Sequence, residues 1–253
     1  MSEKDHHWLI NNARNSYTYM PKPPTYTCKI LKKEALTDDV ICLHLEKPAG
    51  LNYKPGQFAQ FQLPNPAKPG AFIPRPYSIA SIPTDPKLKF YIKLVPSGQA
   101  KPFFAGLKTD DPVKIMAPLG RFNLAASDCP SIFVATGVGI APIIALIREL
   151  LEVSRAVQPV NLLFGVRGEK DIFLIQELAA LQKKYNNFSF TLTLSRPESE
   201  WSGTRGRVTT HLDNRIDQNA HYYLCGNLPM ITDVRKILEE RGIAKNKVHF
   251  EIF

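Results

Sequence analysis

Four short stretches carry residue types at spacings that could do chemistry. In Arg75-Pro76-Tyr77-Ser78 a guanidinium, a two-pronged donor for phosphate, precedes by two positions a tyrosine on the same strand face. That ring can lie on a flat heterocycle, and the Ser78 hydroxyl can donate to a ring nitrogen. Thr136-Gly137-Val138-Gly139-Ile140-Ala141-Pro142 links an apolar strand to a helix, where glycines and free N–H groups admit a phosphate. The full dinucleotide fingerprint is not there, because Pro142 replaces the third glycine and the next strand ends Gly165-Val166-Arg167 without an acidic ribose clamp. Cys225-Gly226-Asn227-Leu228-Pro229 makes a second strand-to-helix turn, and the chain ends Glu251-Ile252-Phe253. Each stretch also has a plainer reading: a surface arginine beside a packed tyrosine, a tight turn, a buried structural cysteine, and an aromatic tucked into the core.

The elements that must position these groups fall into two halves. From Thr25 to about Phe122 the sequence reads as short strands between Pro- and Gly-containing turns, the pattern of a small antiparallel barrel. From Ser131 strands alternate with helices: SIFVAT, PIIALIRELLEVSR, VNLLFG, LIQELAALQKKY, FSFTLTL, HYYLC, PMITDVRKILEER and VHFEIF. Such alternation predicts a parallel sheet with helices on both faces. The predicted fold is therefore a Greek-key antiparallel β-barrel over 25–125, followed by an α/β parallel-sheet nucleotide-binding domain over 126–253. Residues 1–24 form a polar extension ending in MPKPP.

Composition narrows the classes. Of 253 residues, 44% are hydrophobic and 22% charged, the balance of a soluble globular chain. The four cysteines (28, 42, 129, 225) lie far apart with no CxxC, which predicts no zinc site, no local iron–sulfur cluster and no disulfide scaffold. Reduced thiols and the lack of a secretory signal predict a cytoplasmic protein. One uncharged run, Cys129 to Ile147, reaches membrane-helix length, but Gly137, Gly139 and Pro142 break it, so no membrane span is expected. The net charge of +9 is uneven: residues 1–124 hold 17 Lys and Arg against 9 Asp and Glu, and the remainder 15 against 14. A basic half points to an anionic cofactor, an acidic partner or nucleic acid.

Taken in order, the RPYS motif, the GxGxxP turn after a strand, the late CG pair and the acidic-x-aromatic terminus resemble the ferredoxin–NADP reductase superfamily of flavin enzymes, from Thr25 to Phe253. The resemblance implies FAD on the barrel and NAD(P)H on the α/β domain. Arg75 would pair with the FAD phosphates, Tyr77 would stack on the flavin, with Pro76 between them, and Ser78 would hydrogen-bond near N5. Tyr91, Ile92 and Lys93 would form a second flavin-contacting strand. Gly98, Gln99 and Ala100 would begin the pyrophosphate loop, although the usual hydroxyl residue there is Lys101 and Pro102 has no N–H to donate. Thr136, Gly137 and Arg167 would hold the nicotinamide nucleotide, with Cys225 and Gly226 facing its ring. Phe253 would shield the flavin, and Ser78, Cys225 and Glu251 would make up the catalytic set. Ser195 and Arg196 stand where the adenosine ribose is read. With no acid there NADPH is favoured and NADH possible, and Arg205 and Arg207 either add to that site or are ordinary surface charges.

The implied activity is hydride transfer from NAD(P)H to FAD, with electrons passed to a separate acidic carrier, a ferredoxin or flavodoxin. Alternatives are a reductase of a small molecule such as flavin or a quinone, an electron-relay subunit of a larger complex and, from another class, a basic nucleic-acid-binding barrel. The last lacks the aromatics interleaved with basic residues that such an open face requires. No metal and no nucleic acid are expected at the site.

Overall fold

The computed structural model describes residues 23–96, 98, 100–125 and 128–252; most of the polar extension, Gln99 and Phe253 lie outside the described residues. Six strands, β1 (Thr25–Ala35), β2 (Val40–Glu46), β3 (Phe58–Pro64), β4 (Phe72–Ser78), β5 (Lys87–Lys93) and β6 (Pro112–Leu119), form an antiparallel sheet in the order β4-β3-β6-β1-β2-β5. The sheet curls on itself: Ala80 N–H, just past β4, donates to Lys89 O on β5 at 2.8 Å. Alternating side chains fill the interior with Leu43, Phe61, Phe90 and Ile115, all fully buried. Strand β4 carries Pro74 and Pro76, tolerable because it is an edge strand in this ladder.

One helix here is absent from the sequence-based expectation. Helix α1 (Ala100–Gly106) plugs the barrel with Phe104, and Pro102 falls within its first turn, where a missing N–H costs nothing. Lys33 on β1 caps the far end, its ammonium donating to the carbonyls of Phe104, Ala105 and Leu107 at 3.2, 2.8 and 2.5 Å.

The second sheet is parallel: β7 (Ser131–Thr136), β8 (Val160–Val166), β9 (Phe188–Leu194), β10 (Thr204–Arg205), β11 (His221–Gly226) and β12 (Val248–Ile252), in the order β10-β9-β8-β7-β11-β12. Helices α2 (Ile140–Arg148), α3 (Ile175–Lys184) and α4 (Leu228–Glu240) pack on it. The apolar run of membrane-helix length resolves into β7, a 3₁₀ turn over Gly137–Gly139 and α2, whose first eight residues are all buried. Among the described residues no helix is long and apolar enough to cross a membrane. Helix α4 begins at Asn227, whose Oδ1 accepts the Met230 N–H at 3.0 Å, with Pro229 in the first turn. Chain order runs outward from β7 to β10 and then returns beyond β7 to β11, so the switch point lies between β7 and β11.

The two sheets share an apolar interface in which Val40, Tyr91 and Phe122 pack with Phe133, Ile144 and Phe173. Charged groups rim it. Arg148 on α2 clasps Asp85 across the seam at 2.6 and 2.9 Å and Glu152 at 2.8 and 3.0 Å, and Lys89 reaches Glu177 at 3.3 Å. Burial alone would raise the Asp85 carboxyl, but hydrogen bonds from Arg148 and the Ile82 N–H outweigh it and hold the group below its usual range. The clasp therefore stabilises above the ordinary carboxylate range and is lost as pH falls through the lowered value. Arg148→Ala is expected to cost about 3 kcal/mol at neutral pH, because it strands a half-buried carboxylate. Urea unfolding at pH 7 and pH 3 checks this: the gap between wild type and variant must narrow in acid.

Candidate functional site

On the barrel side, β4 alternates as the sequence predicts. Arg75 and Tyr77 share the partly covered face while Pro74 and Pro76 are exposed. Arg75 Nη1 donates to Pro74 O at 3.0 Å. The Tyr77 ring stands edge-on against Phe61 and Phe104, at centroid distances of 5.4 and 5.2 Å, so α1 props the ring from below. Burial raises its hydroxyl to about 12, keeping the phenol neutral. Gly98 O accepts the Lys101 N–H at 3.2 Å at the entry to α1, and Ala100 packs on the barrel core.

Strand β5, the expected second flavin-contacting strand, divides its side chains between the barrel core and the second domain. Ile92 is fully buried in the barrel core. Tyr91, on the other face, is spent in the interface against Phe173 at 5.8 Å. Lys93 turns to the second domain, paired with Asp39 at 2.8 Å on the wall of a cleft beside the second sheet. The strand period of two puts Tyr91 and Lys93 on the face turned to the second domain and Ile92 on the face turned to the barrel core.

That cleft, about 540 Å³, opens at the carboxyl ends of β7, β8, β9 and β11. Thr136, Gly137, Arg167, Ser195, Arg196 and Gly226 are brought together in its lining, and Asp39 and Met230, which the sequence reading did not name, line it too. Two glycines are required here. Gly226 sits at φ +157 with Thr136 Oγ1 only 2.2 Å from where a Cβ would stand, and Gly139 lets α2 rest on the β11 backbone, a Cβ there meeting Cys225 O at 2.4 Å. Arg205 is not in the cleft: its guanidinium donates to the carbonyls of Glu198, Ser199 and Trp201, bracing the turn before β10. Arg207 lines the cleft instead.

Cys225, expected to face a nicotinamide, is wholly buried behind Gly226. Burial first, and the Glu251 charge second, push its thiol well above the ordinary range, so it is held in the protonated form. Glu251 stands directly across from Cys225 in the β11–β12 pairing, and its Oε1 is 3.6 Å from where a side chain on Gly120, at the end of β6, would stand. Burial raises the Glu251 carboxyl to about 7, against the opposite pull of the Ser78 hydroxyl beside it. Ser78 Oγ and Glu251 Oε2 face each other without a well-formed hydrogen bond, and Thr136 Oγ1 is likewise buried without one. Orphaned buried polar atoms are rare in proteins, and Ser78 on the barrel and Glu251 on the second sheet bring two of these to one place.

Two domain families match the chain: an oxidoreductase FAD-binding domain over residues 27–124 and an oxidoreductase NAD-binding domain over residues 133–236. Ferredoxin–NADP reductase B of Sorangium cellulosum is 32% identical, the match covering 79% of this chain and 84% of that protein. The reductase component of propane 2-monooxygenase from Rhodococcus jostii is 29% identical over 89% of this chain, which spans 62% of that relative's length. A ferredoxin–NADP⁺ reductase from Neisseria gonorrhoeae shares the fold, with a TM-score of 0.79 and 24% identity over 90% of this chain and 98% of that one. The chain belongs to the ferredoxin–NADP reductase superfamily of FAD- and NAD(P)-binding oxidoreductases. It is a flavin-dependent oxidoreductase, FAD belonging to the barrel and the nicotinamide dinucleotide to the parallel sheet.

Proposed function

We propose that this enzyme draws hydride from NADPH in preference to NADH and delivers electrons to a separate protein acceptor with an acidic docking face, a ferredoxin or flavodoxin. The observation that carries the reading is the set of buried polar atoms without a well-formed hydrogen bond, Ser78 Oγ facing Glu251 Oε2 and, on the sheet, Thr136 Oγ1, which fits a polar ring system lying between barrel and sheet. FAD, when bound, supplies the redox chemistry, taking up two electrons together and releasing them one at a time.

The chain's own groups do the rest. Ser78 offers a hydroxyl donor, and Glu251, raised to about 7, holds a proton near neutral pH beside it. Tyr77 supplies a neutral aromatic wall and Arg75 a cation for phosphate. Gly98 and Ala100 keep their assignment to the pyrophosphate loop, and Gln99 and Phe253 keep theirs as proposals outside the described residues. Lys101 stands in for the hydroxyl usual in that loop, as a point charge. Arg167, Arg196 and Arg207 give the cleft three guanidinium groups for the anionic end of the dinucleotide, and Ser195 places no charge against a 2′-phosphate. The balance of +8 over residues 1–124 (17 basic against 9 acidic) suits an acidic acceptor docking near the flavin edge. Four free cysteines accord with a cytosolic setting.

An absorption spectrum of the purified protein, before and after anaerobic NADPH and then NADH, tests the core of the reading; a colourless chain that flavin cannot reconstitute would sink it. Steady-state turnover tests the acceptor. Saturation by an acidic ferredoxin or flavodoxin, weakening with salt, supports a protein carrier, whereas indifference to both with rapid reduction of free flavin or quinone supports a small-molecule reductase. Ser195→Asp is expected to cut kcat/KM for NADPH roughly tenfold relative to NADH, because a carboxylate would then face the 2′-phosphate. An unchanged preference ratio would mean that the ribose is read elsewhere.

A further inference from the structure

On the outer face of the barrel, away from its core, the pairing of β1 with β2 sets Glu34 directly opposite Cys42, and His44 follows two residues later on the same face. His44 Nε2 lies 3.3 Å from Cys42 Sγ and 3.0 Å from Glu34 Oε1. All three atoms lie within 4.8 Å of one another. An imidazole nitrogen has a single in-plane site, either a proton or a lone pair, so it cannot direct a good hydrogen bond to both neighbours. One ion at the point of convergence satisfies all three. Bonds of about 2.0–2.3 Å in a tetrahedron put ligand atoms roughly 3.3–3.7 Å apart, close to the two spacings that His44 makes.

From this convergence we propose that Glu34, Cys42 and His44 form a site for a single divalent cation of the zinc type, with a fourth position left for water. The surroundings suit it. Thiolate and carboxylate together neutralise the dication. Lys32 Nζ holds Glu34 Oε2 at 2.8 Å, leaving Oε1 turned inward, the outer hydrogen bond that orients a ligating carboxylate. Burial, together with Lys87 and Lys89, lowers the His44 pKa and keeps the ring in its neutral, ligating form, against the opposing charge of Glu34. Burial raises the Cys42 thiol to about 12 while Lys89 pulls it down, so the metal-free chain keeps a thiol whose proton the cation must displace. Cys42 and His44 are 4% and 6% exposed, and the partly open Glu34 gives the entry path. Cys42 also pairs in register with Tyr91, the residue that packs on Phe173 across the seam, so a bound ion would brace the barrel face on which the second domain rests.

The test is a titration of chelator-treated, FAD-loaded protein with zinc sulfate, by calorimetry in two buffers of different ionisation enthalpy. About one zinc per chain is expected, with about one proton released per zinc at pH 7. Cys42→Ser and Glu34→Gln should each weaken binding roughly tenfold or more. Retained flavin reports that each variant is folded, and Glu34→Gln changes a partly exposed side chain. Failure to take up zinc overturns the proposal. So does zinc bound as tightly by both variants but lost in His249→Ala, which would move the ion to the His221–His249 pair, whose ring nitrogens are 2.9 Å apart.

Discussion

Turnover in Glu251→Gln is expected to fall about 100-fold at pH 7, the scale of losing a positioned proton donor. The substitution keeps size and hydrogen-bonding capacity but removes the titrating proton. Burial lifts the wild-type carboxyl to about 7, so its acid form predominates below that value and its rate contribution should fade as pH rises through neutrality. The variant's profile should be flat over that interval. The carboxyl's contribution to stability should fall with rising pH as well. A carboxyl whose folded pKa is raised stabilises the native state fully below its unfolded value, and that contribution is lost as pH climbs to the folded value. Moving a carboxyl from 4.5 to about 7 is worth roughly 3 kcal/mol, so at pH 8 the glutamine variant should be the more stable protein by up to about that amount. Thermal unfolding of the flavin-loaded forms at pH 5 and pH 8 measures this. A variant with unchanged turnover and unchanged pH profile would take Glu251 out of the chemistry.

Gly139→Ala is expected to weaken nucleotide binding at least tenfold while leaving the barrel and its flavin in place. The Gly139 backbone is ordinary right-handed helix, at φ −59 and ψ −13, so alanine is not strained there; the obstacle is packing. An added methyl would stand 2.4 Å from Cys225 O, 2.7 Å from Cys225 C and 2.8 Å from Gly226 N, all backbone atoms of a central strand. They cannot swing aside as a side-chain end would, so α2 must lift from β11 and widen the turn that Thr136 and Gly137 line. Overpacking of this kind costs about 1–3 kcal/mol of stability, and a cleft displaced by a fraction of an ångström should bind NADPH at least tenfold more weakly. Flavin quenching on NADP⁺ titration reads the second effect, and an unchanged Kd would show that the turn tolerates a wider spacing.

Much of this architecture is local, and local patterns are legible. SIFVAT and FSFTLTL are strands over the very residues that read as strands, because unbroken or alternating apolar runs bounded by turn residues leave little choice. The N-cap at Asn227 and the proline after it mark the start of α4 in the same way. Helix α1 was not legible. Pro102 and Gly106 frame AKPFFAG as a loop, and only the barrel's need for Phe104 as a plug makes it helical.

The sequence by itself determined the two-sheet plan, the turns that carry the glycines, and the order of motifs that marks an FAD- and NAD(P)-dependent enzyme, since each depends on neighbours a few residues apart. It could not determine where a side chain ends up once distant strands meet. Tertiary packing sent Ile92 into the barrel, Lys93 to Asp39, Arg205 to three carbonyls and Cys225 behind Gly226. It also brought Glu251 from the last strand against the barrel and raised its carboxyl, and drew Glu34 onto Cys42 and His44. Desolvation and long-range pairing depend on what surrounds a group in space, and chain order does not encode that.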